Sequence, residues 1–249
     1  MRITRRTLLA GTATAPLTGL LSPRGVTQGV TPQTMTGATT IKDAITGLLD
    51  KYGDEDGVAP IVSLGDPVLR QPAALYDGQV DDQVLSEFVA LLRRTMLTAP
   101  GVGGAAPQVG IPIQVAVLED PAPVSAEVAE ARQRYPLEFF AVVNPEYAAL
   151  DGRRRGFFEG CLSMPGYTGV VNRHLAVEAT YFDPAGTPQR RELTGWQARI
   201  FQHETDHLGG TVYVDKVETR SLCTTQNYLD HWDAPVPARA AEVLGFELA

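Results

Sequence analysis

Gln202-His203-Glu204-Thr205-Asp206-His207-Leu208-Gly209-Gly210 is the stretch from which the rest of the chain can be read. On an α-helix, two imidazoles four residues apart lie roughly 40° apart around the axis, so both rings reach one cation. Glu204 then projects to the flank, where a metal-bound water would sit. The neighbours predict the helix: Thr194 can cap it, Ile200, Phe201 and Leu208 supply its apolar face, and Gly209-Gly210 ends it. Alone, the pair is open to a blander reading, since helix histidines also serve as caps or surface groups.

A metal site of this kind needs a third protein ligand and an open position. Downstream, His231 and Glu218 are available, neither in a recognisable ligand motif. Upstream lies Glu159-Gly160-Cys161-Leu162-Ser163-Met164-Pro165-Gly166, a cysteine bounded by Gly and a Pro-Gly turn, where an irregular strand end can present a ligand. A thiolate with two imidazoles is a catalytic set in its own right. A third cluster, Gly101-Val102-Gly103-Gly104-Ala105-Ala106-Pro107-Gln108-Val109-Gly110, lacks the ending of a phosphate loop. It reads either as a flexible turn or as a wall without side chains that admits a small group close to the backbone. In the second reading Gln108 offers an amide donor.

Working outward, Asp81–Leu97 reads as a helix, with Val84, Leu85, Phe88, Leu91 and Leu92 at helical spacing and Asp81-Asp82 in its first turn. Ile113–Leu118, Phe139–Val143 and Leu175–Phe182 are strand-like, Asp183–Gly186 is a hairpin turn, and Thr211–Val214 reads as a last strand. Glu119–Tyr135 is an Ala/Pro/Glu-rich excursion, expected as a surface loop or short helix. Short strands around one or two helices, without strand–helix alternation, indicate an α+β fold. With 21 Lys+Arg against 29 Asp+Glu, the net charge of −8 argues against nucleic acid as a direct partner. The two cysteines, Cys161 and Cys223, are too few for a disulfide scaffold.

Residues 1–21 carry Arg5-Arg6 ahead of a weakly apolar run, the layout of a twin-arginine export signal. Ala13-Thr14-Ala15 has the form of a cleavage site, although Pro16 directly after it argues against processing there. The alternative is a cytoplasmic protein whose extension is disordered or wrongly assigned, with Met35 as an internal start. No stable membrane span is expected, the run being too short and too rich in Gly, Thr and Pro. Residues 22–57 read as a flexible linker containing one amphipathic piece, Ile41–Tyr52, and residues 58–249 as the catalytic domain.

Taken together and in this order, G-x-G-x-A-A-x-Q (Gly101–Gln108), E-G-C-L-S (Glu159–Ser163) and Q-H-E-x-D-H-L (Gln202–Leu208) resemble the peptide deformylase family, over about Ile61–Leu229. The resemblance implies antiparallel β-sheets packed around a central metal-binding helix. It implies that Cys161, His203 and His207 hold one divalent metal, Fe²⁺ most often, with Zn²⁺ or Ni²⁺ able to substitute. Glu204 becomes the general base, and Gln108 and the Leu162 backbone N–H become oxyanion donors. Gly101, Gly103 and Gly160 become the backbone against which substrate lies. The implied partners are N-formylmethionyl peptides, deformylated by a monomer. Glu159 and Asp206 would orient their neighbours, and Arg173 would make an ion pair. Gly104 departs from the family's usual Leu, which raises the expectation of a larger pocket near the metal or of a looser wall. Val214–Leu222 is similar to members with a non-helical tail. The rival readings are a zinc endopeptidase, disfavoured by Cys161 and Gln108, and a catalytically idle relative that binds formyl-peptides or metal.

Overall fold

Helix α1 (Ile41–Tyr52) begins the computed structural model, which describes residues 40–121 and 124–249. A capping box starts it: the Thr40 hydroxyl accepts from the Asp43 N–H at 3.1 Å, and the Thr40 N–H donates back to the Asp43 carboxylate at 3.1 Å. Ile45 is fully buried, and Ile41, Ala44, Leu48 and Leu49 join it against Leu85, Phe88 and Leu92 of α2 (Asp82–Thr98). The expected linker is therefore too long: residues 41–52 belong to the core, and the folded body does not start at Val58. An amphipathic piece of three turns loses less by docking than by leaving its apolar stripe in water. Arg94 fastens the following loop by donating to the carbonyls of Asp54 and Gly57. The twin-arginine-like segment 1–21 and residues 22–39 lie outside the described residues.

Two antiparallel sheets follow. The larger has the order β1 (Gly103–Ala105), β2 (Val115–Asp120), β3 (Leu137–Ala149), β6 (Ala176–Phe182) and β7 (Pro188–Thr194). The smaller is β4 (Arg154–Glu159), β5 (Tyr167–His174) and the two-residue β8 (Cys223–Thr224). The expected excursion is a loop carrying a short helix, α3 (Ala126–Arg132). Helix α4 (Gly195–Leu208) packs against strands of both sheets, and most of its residues are buried. The α+β fold with antiparallel sheets around a central helix is thus present. The α2 and α4 boundaries agree with the sequence to within a residue, and Asp81 caps α2 through the Val84 N–H at 3.0 Å. At α4, Thr194 holds the cap position without a side-chain bond, because the Trp196 N–H donates instead to the Gln133 carbonyl of the excursion.

Thr211–Val214 is not a strand. Beyond Gly210, whose φ of +78° turns the chain beside the Arg70 and Gln71 backbone, residues Tyr213–Asp215 form a 3₁₀ turn. The Asp215 carboxylate accepts from the Val212 N–H at 2.9 Å and pairs with Arg70, which curls the segment. The tail has no long helix among the described residues, although it is not wholly non-helical. It holds short helical turns at Thr225–Trp232 and a helix at Ala238–Leu244, whose apolar residues cover Phe158 and Val170 of the smaller sheet. Among the described residues no helix is long and apolar enough to cross a membrane.

Helix α1 offers a direct stability test. Ile45→Ala should cost about 2–4 kcal/mol, as for other buried large-to-small changes, and lower the thermal midpoint. A residue in a flexible linker would leave the midpoint unmoved.

Candidate active site

Helix α4 carries His203, Glu204 and His207 towards the end of β4, where the chain leaves the sheet through Glu159-Gly160-Cys161. The ligand atoms of Cys161, His203 and His207 all lie within 4.8 Å of one another, and Cys161 Sγ is 3.2 Å from His207 Nε2. The other candidates lie elsewhere. His231 sits in an exposed turn of the tail, and Glu218 accepts from Asn172 at 2.8 Å.

The chemistry of this group suits a divalent cation. Burial holds His207 well below the ordinary imidazole range, leaving a neutral donor. Burial also acts to lower His203, but hydrogen bonds with Cys161 and Glu159 and the nearby Glu204 charge push it up to about 10. The cluster therefore draws a positive charge to the point where the three ligand atoms converge. Glu159 accepts from His203 Nδ1 at 3.1 Å, which turns Nε2 towards that point. Glu159 is itself buried, a condition that raises a carboxyl, yet Arg173 and Arg199 hold it well below the usual carboxylate range. Arg173 spans Glu159 at 2.7 Å and Asp206 at 2.7 Å, and Asp206 also accepts from Lys216 and from the Tyr147 hydroxyl. Arg173 is an ion-pair residue, and Glu159 and Asp206 are the two carboxylates it joins across β4, β5 and α4.

The glycine-rich stretch is neither flexible nor a simple turn. It forms β1 and a 3₁₀ turn, Ala106–Val109. Gln108 Oε1 accepts from the Ala105 N–H at 2.9 Å, which fixes Nε2 near Cys161 Sγ at 3.5 Å and Ser163 Oγ at 3.4 Å. The Leu162 N–H donates to no protein group among the described residues. Gly103 faces Glu204: an added Cβ would lie 2.6 Å from Glu204 Cδ and closer still to Oε1. At Gly101 the same addition would meet Leu162 Cδ1 at 2.9 Å, whereas at Gly160 it would meet only the Tyr167 carbonyl at 3.6 Å. Close approach thus accounts for Gly101 and Gly103 and leaves Gly160 unconstrained. Gly104 points the other way, towards Met96 and Val117, because successive strand residues face opposite sides. Its lost side chain does not enlarge the space near the metal ligands, which corrects that expectation.

These groups open on a cavity of about 660 Å³ that holds Gly103, Gln108, Cys161, Leu162, His203 and Glu204 on its wall. Burial pushes Glu204 up to about 7 against the pull of His203 and Arg173, and its Oε2 has no partner among the described residues. Arg199, Trp196 and Arg134 also line the cavity and escaped the sequence reading. The signal was there: Arg199 and Trp196 precede His203 by four and seven residues, on the same helix face. Glu159→Gln should weaken Zn²⁺ or Co²⁺ binding about 10- to 100-fold in a competitive chelator titration, because the carboxylate that orients His203 and raises its basicity becomes a neutral amide. Unchanged affinity would contradict that role.

The chain matches the polypeptide deformylase family model over residues 58–222. It is 48% identical over 217 residues to peptide deformylase 3 of Streptomyces avermitilis, covering 87% of this chain and 95% of that protein. To peptide deformylase 1 of Streptomyces coelicolor it is 53% identical over 192 residues, 77% of this chain and 88% of the relative. Among solved structures, the Met-Ala-Ser-bound class I type b peptide deformylase of Acinetobacter baumannii is similar at 30% identity with a TM-score of 0.59. That match covers 65% of this chain and 99% of the other. With the matched segment running from the β1 wall through both ends of the ligand group, the chain belongs to the peptide deformylase family.

Proposed function

We propose that this chain hydrolyses the formyl amide of N-formylmethionyl peptides, releasing formate and a peptide with a free amino terminus. The observation that carries the reading is the Glu204 carboxylate, buried and without a partner at Oε2 among the described residues, set between the Gly103 backbone and the Cys161–His203–His207 group. A divalent cation held by those three ligands would supply Lewis-acid polarisation and make water in the cleft more acidic; Fe²⁺ is the metal that the family resemblance implies, with Zn²⁺ or Ni²⁺ as substitutes. Glu204, poised near neutrality, takes the proton of the attacking water and later delivers it to the departing amine. Gln108 Nε2 and the Leu162 N–H are the donors for the oxyanion. Because Ala105 already fixes the Gln108 amide, little reorganisation is needed when charge develops. Gly103 has no side chain to crowd Glu204, which is where the formyl group is proposed to enter.

The assay is formate release from formyl-Met-Ala-Ser by the iron-loaded protein. Glu204→Ala should abolish it, and Gln108→Ala should lower kcat about 10²- to 10³-fold, the usual loss for one oxyanion donor. No formate from the unaltered, metal-loaded protein would contradict the reading.

The protein is proposed to act as a monomer on peptides alone, and Arg5-Arg6 to direct its export by the twin-arginine route, with the cytoplasm as the alternative. A reporter fused after residue 39, ahead of α1, should appear outside the cytoplasm and remain inside when both arginines become Lys. A reporter retained regardless of the pair would contradict export.

A further inference from the structure

The chain leaves α4 and folds straight back onto it. Gly210, at φ +78°, makes the turn, and the Thr211 N–H donates to the Asp206 carbonyl at 2.9 Å. The Asp215 carboxylate closes the 3₁₀ turn that follows, accepting from the Val212 N–H at 2.9 Å and pairing with Arg70. Lys216 adds a third tie, from its N–H to the Tyr213 carbonyl at 3.0 Å and from Nζ to Asp206 at 2.6 Å. These bonds hold in place one side chain that the proposed reaction does not use. Tyr213 is 1% exposed and among the largest fully buried side chains of the described residues.

Its ring runs nearly parallel to the His203 imidazole, at an interplanar angle of 19° with centroids 6.2 Å apart, within the range of offset-stacked pairs. His203 and His207, by contrast, meet edge to face at 61°. Tyr213 also packs in the apolar cluster that contains Cys161. One side chain thus joins the strand end that carries the thiol to the helix that carries the imidazoles. Its hydroxyl has no partner among the described residues, and a buried hydroxyl left so costs stability rather than adding to it. What the residue contributes here is its flat face. Glu159 holds His203 by a hydrogen bond at Nδ1, which fixes one point of the ring and leaves its plane free to swing about that point. A flat group against the face removes that freedom. Nε2 then stays aimed where Cys161 and His207 converge, and ordering completed beforehand need not occur on binding.

We propose that Tyr213 is a positioning residue for the metal site: its ring fixes the plane of the His203 imidazole, while Glu159 fixes the direction within that plane. The inference rests on the reading of Cys161, His203 and His207 as ligands of one divalent cation.

The test compares Tyr213→Leu and Tyr213→Phe with the unaltered protein, each loaded with Co²⁺. Co²⁺ affinity is read by competitive chelator titration. The visible ligand-field bands report the donor geometry, and the near-ultraviolet thiolate-to-cobalt band reports the sulfur. Tyr213→Leu should weaken binding about two- to tenfold, the usual worth of an aromatic pair, and should shift the ligand-field bands. Tyr213→Phe keeps the ring and should match the unaltered protein in both. A role in filling the core alone would lower the thermal midpoint of Tyr213→Leu and leave the affinity and spectrum of the folded protein unchanged. That result would overturn the proposal, as would a Tyr213→Phe variant impaired as much as Tyr213→Leu. Should Tyr213→Leu not fold, Asp215→Ala decides, because that carboxylate is 38% exposed and its loss frees the turn that carries Tyr213. The same weakening and band shift are expected there, and their absence would overturn the proposal. Co²⁺ bound by the unaltered protein without a thiolate band would instead overturn the ligand reading, and this proposal with it.

Discussion

Everything at the centre of this molecule depends on one buried carboxylate. Glu159 closes β4, accepts from His203 on α4 and lies two residues before Cys161, so it fixes the relation between the elements that supply the three ligands. A carboxylate so buried is costly unless paired, and here two guanidiniums hold it ionised. Arg173 extends the arrangement to Asp206, which faces away from the cavity on the same helix and is anchored by Lys216 and Tyr147. The helix is thus tied to the smaller sheet through His203 and Asp206, on either side of Glu204, and one turn earlier through Arg199 and Gln202.

The larger sheet completes the site by coming close. Gly103 of β1 touches Glu204 where no side chain fits, so the base is confined between a bare backbone and the ligand group. Gln108 follows five residues later on a 3₁₀ turn locked by its own side chain, with its amide turned to the thiol. This rigidity has a thermodynamic consequence: dipoles already pointing at the developing charge need no reorganisation during the reaction. Behind this wall, Met96 and Val117 pack against Gly104, so β1 separates core from cavity with no thickness to spare.

The sequence made the ligand helix, α2, the hairpin turn at Asp183–Gly186 and the three site motifs legible, because each depends on local spacing. It misjudged what depends on distant partners. Helix α1 looked like linker because its surroundings are rich in Thr, Gly and Gln, and nothing local reveals that α2 offers Ile45 a socket. Thr211–Val214 has strand composition, yet Asp215 and Arg70, far apart in sequence, curl it into a turn. Gly104 in place of the family's usual Leu suggests a larger pocket, although strand alternation turns that position to the core. Arg199 and Trp196 could have been placed by helical phase, whereas Arg134 could not, since its position comes from the docking of the excursion on Gly195.

Glu159 helps to bring Cys161 and the α4 histidines to one point. X-ray absorption at the metal edge of the Fe²⁺- or Co²⁺-loaded protein reads that directly. One sulfur at about 2.3 Å together with two imidazole nitrogens at about 2.0–2.1 Å, distances typical of such ligands on a first-row metal, is the result the account requires. A first shell of nitrogen and oxygen alone, with no sulfur contribution, would contradict it.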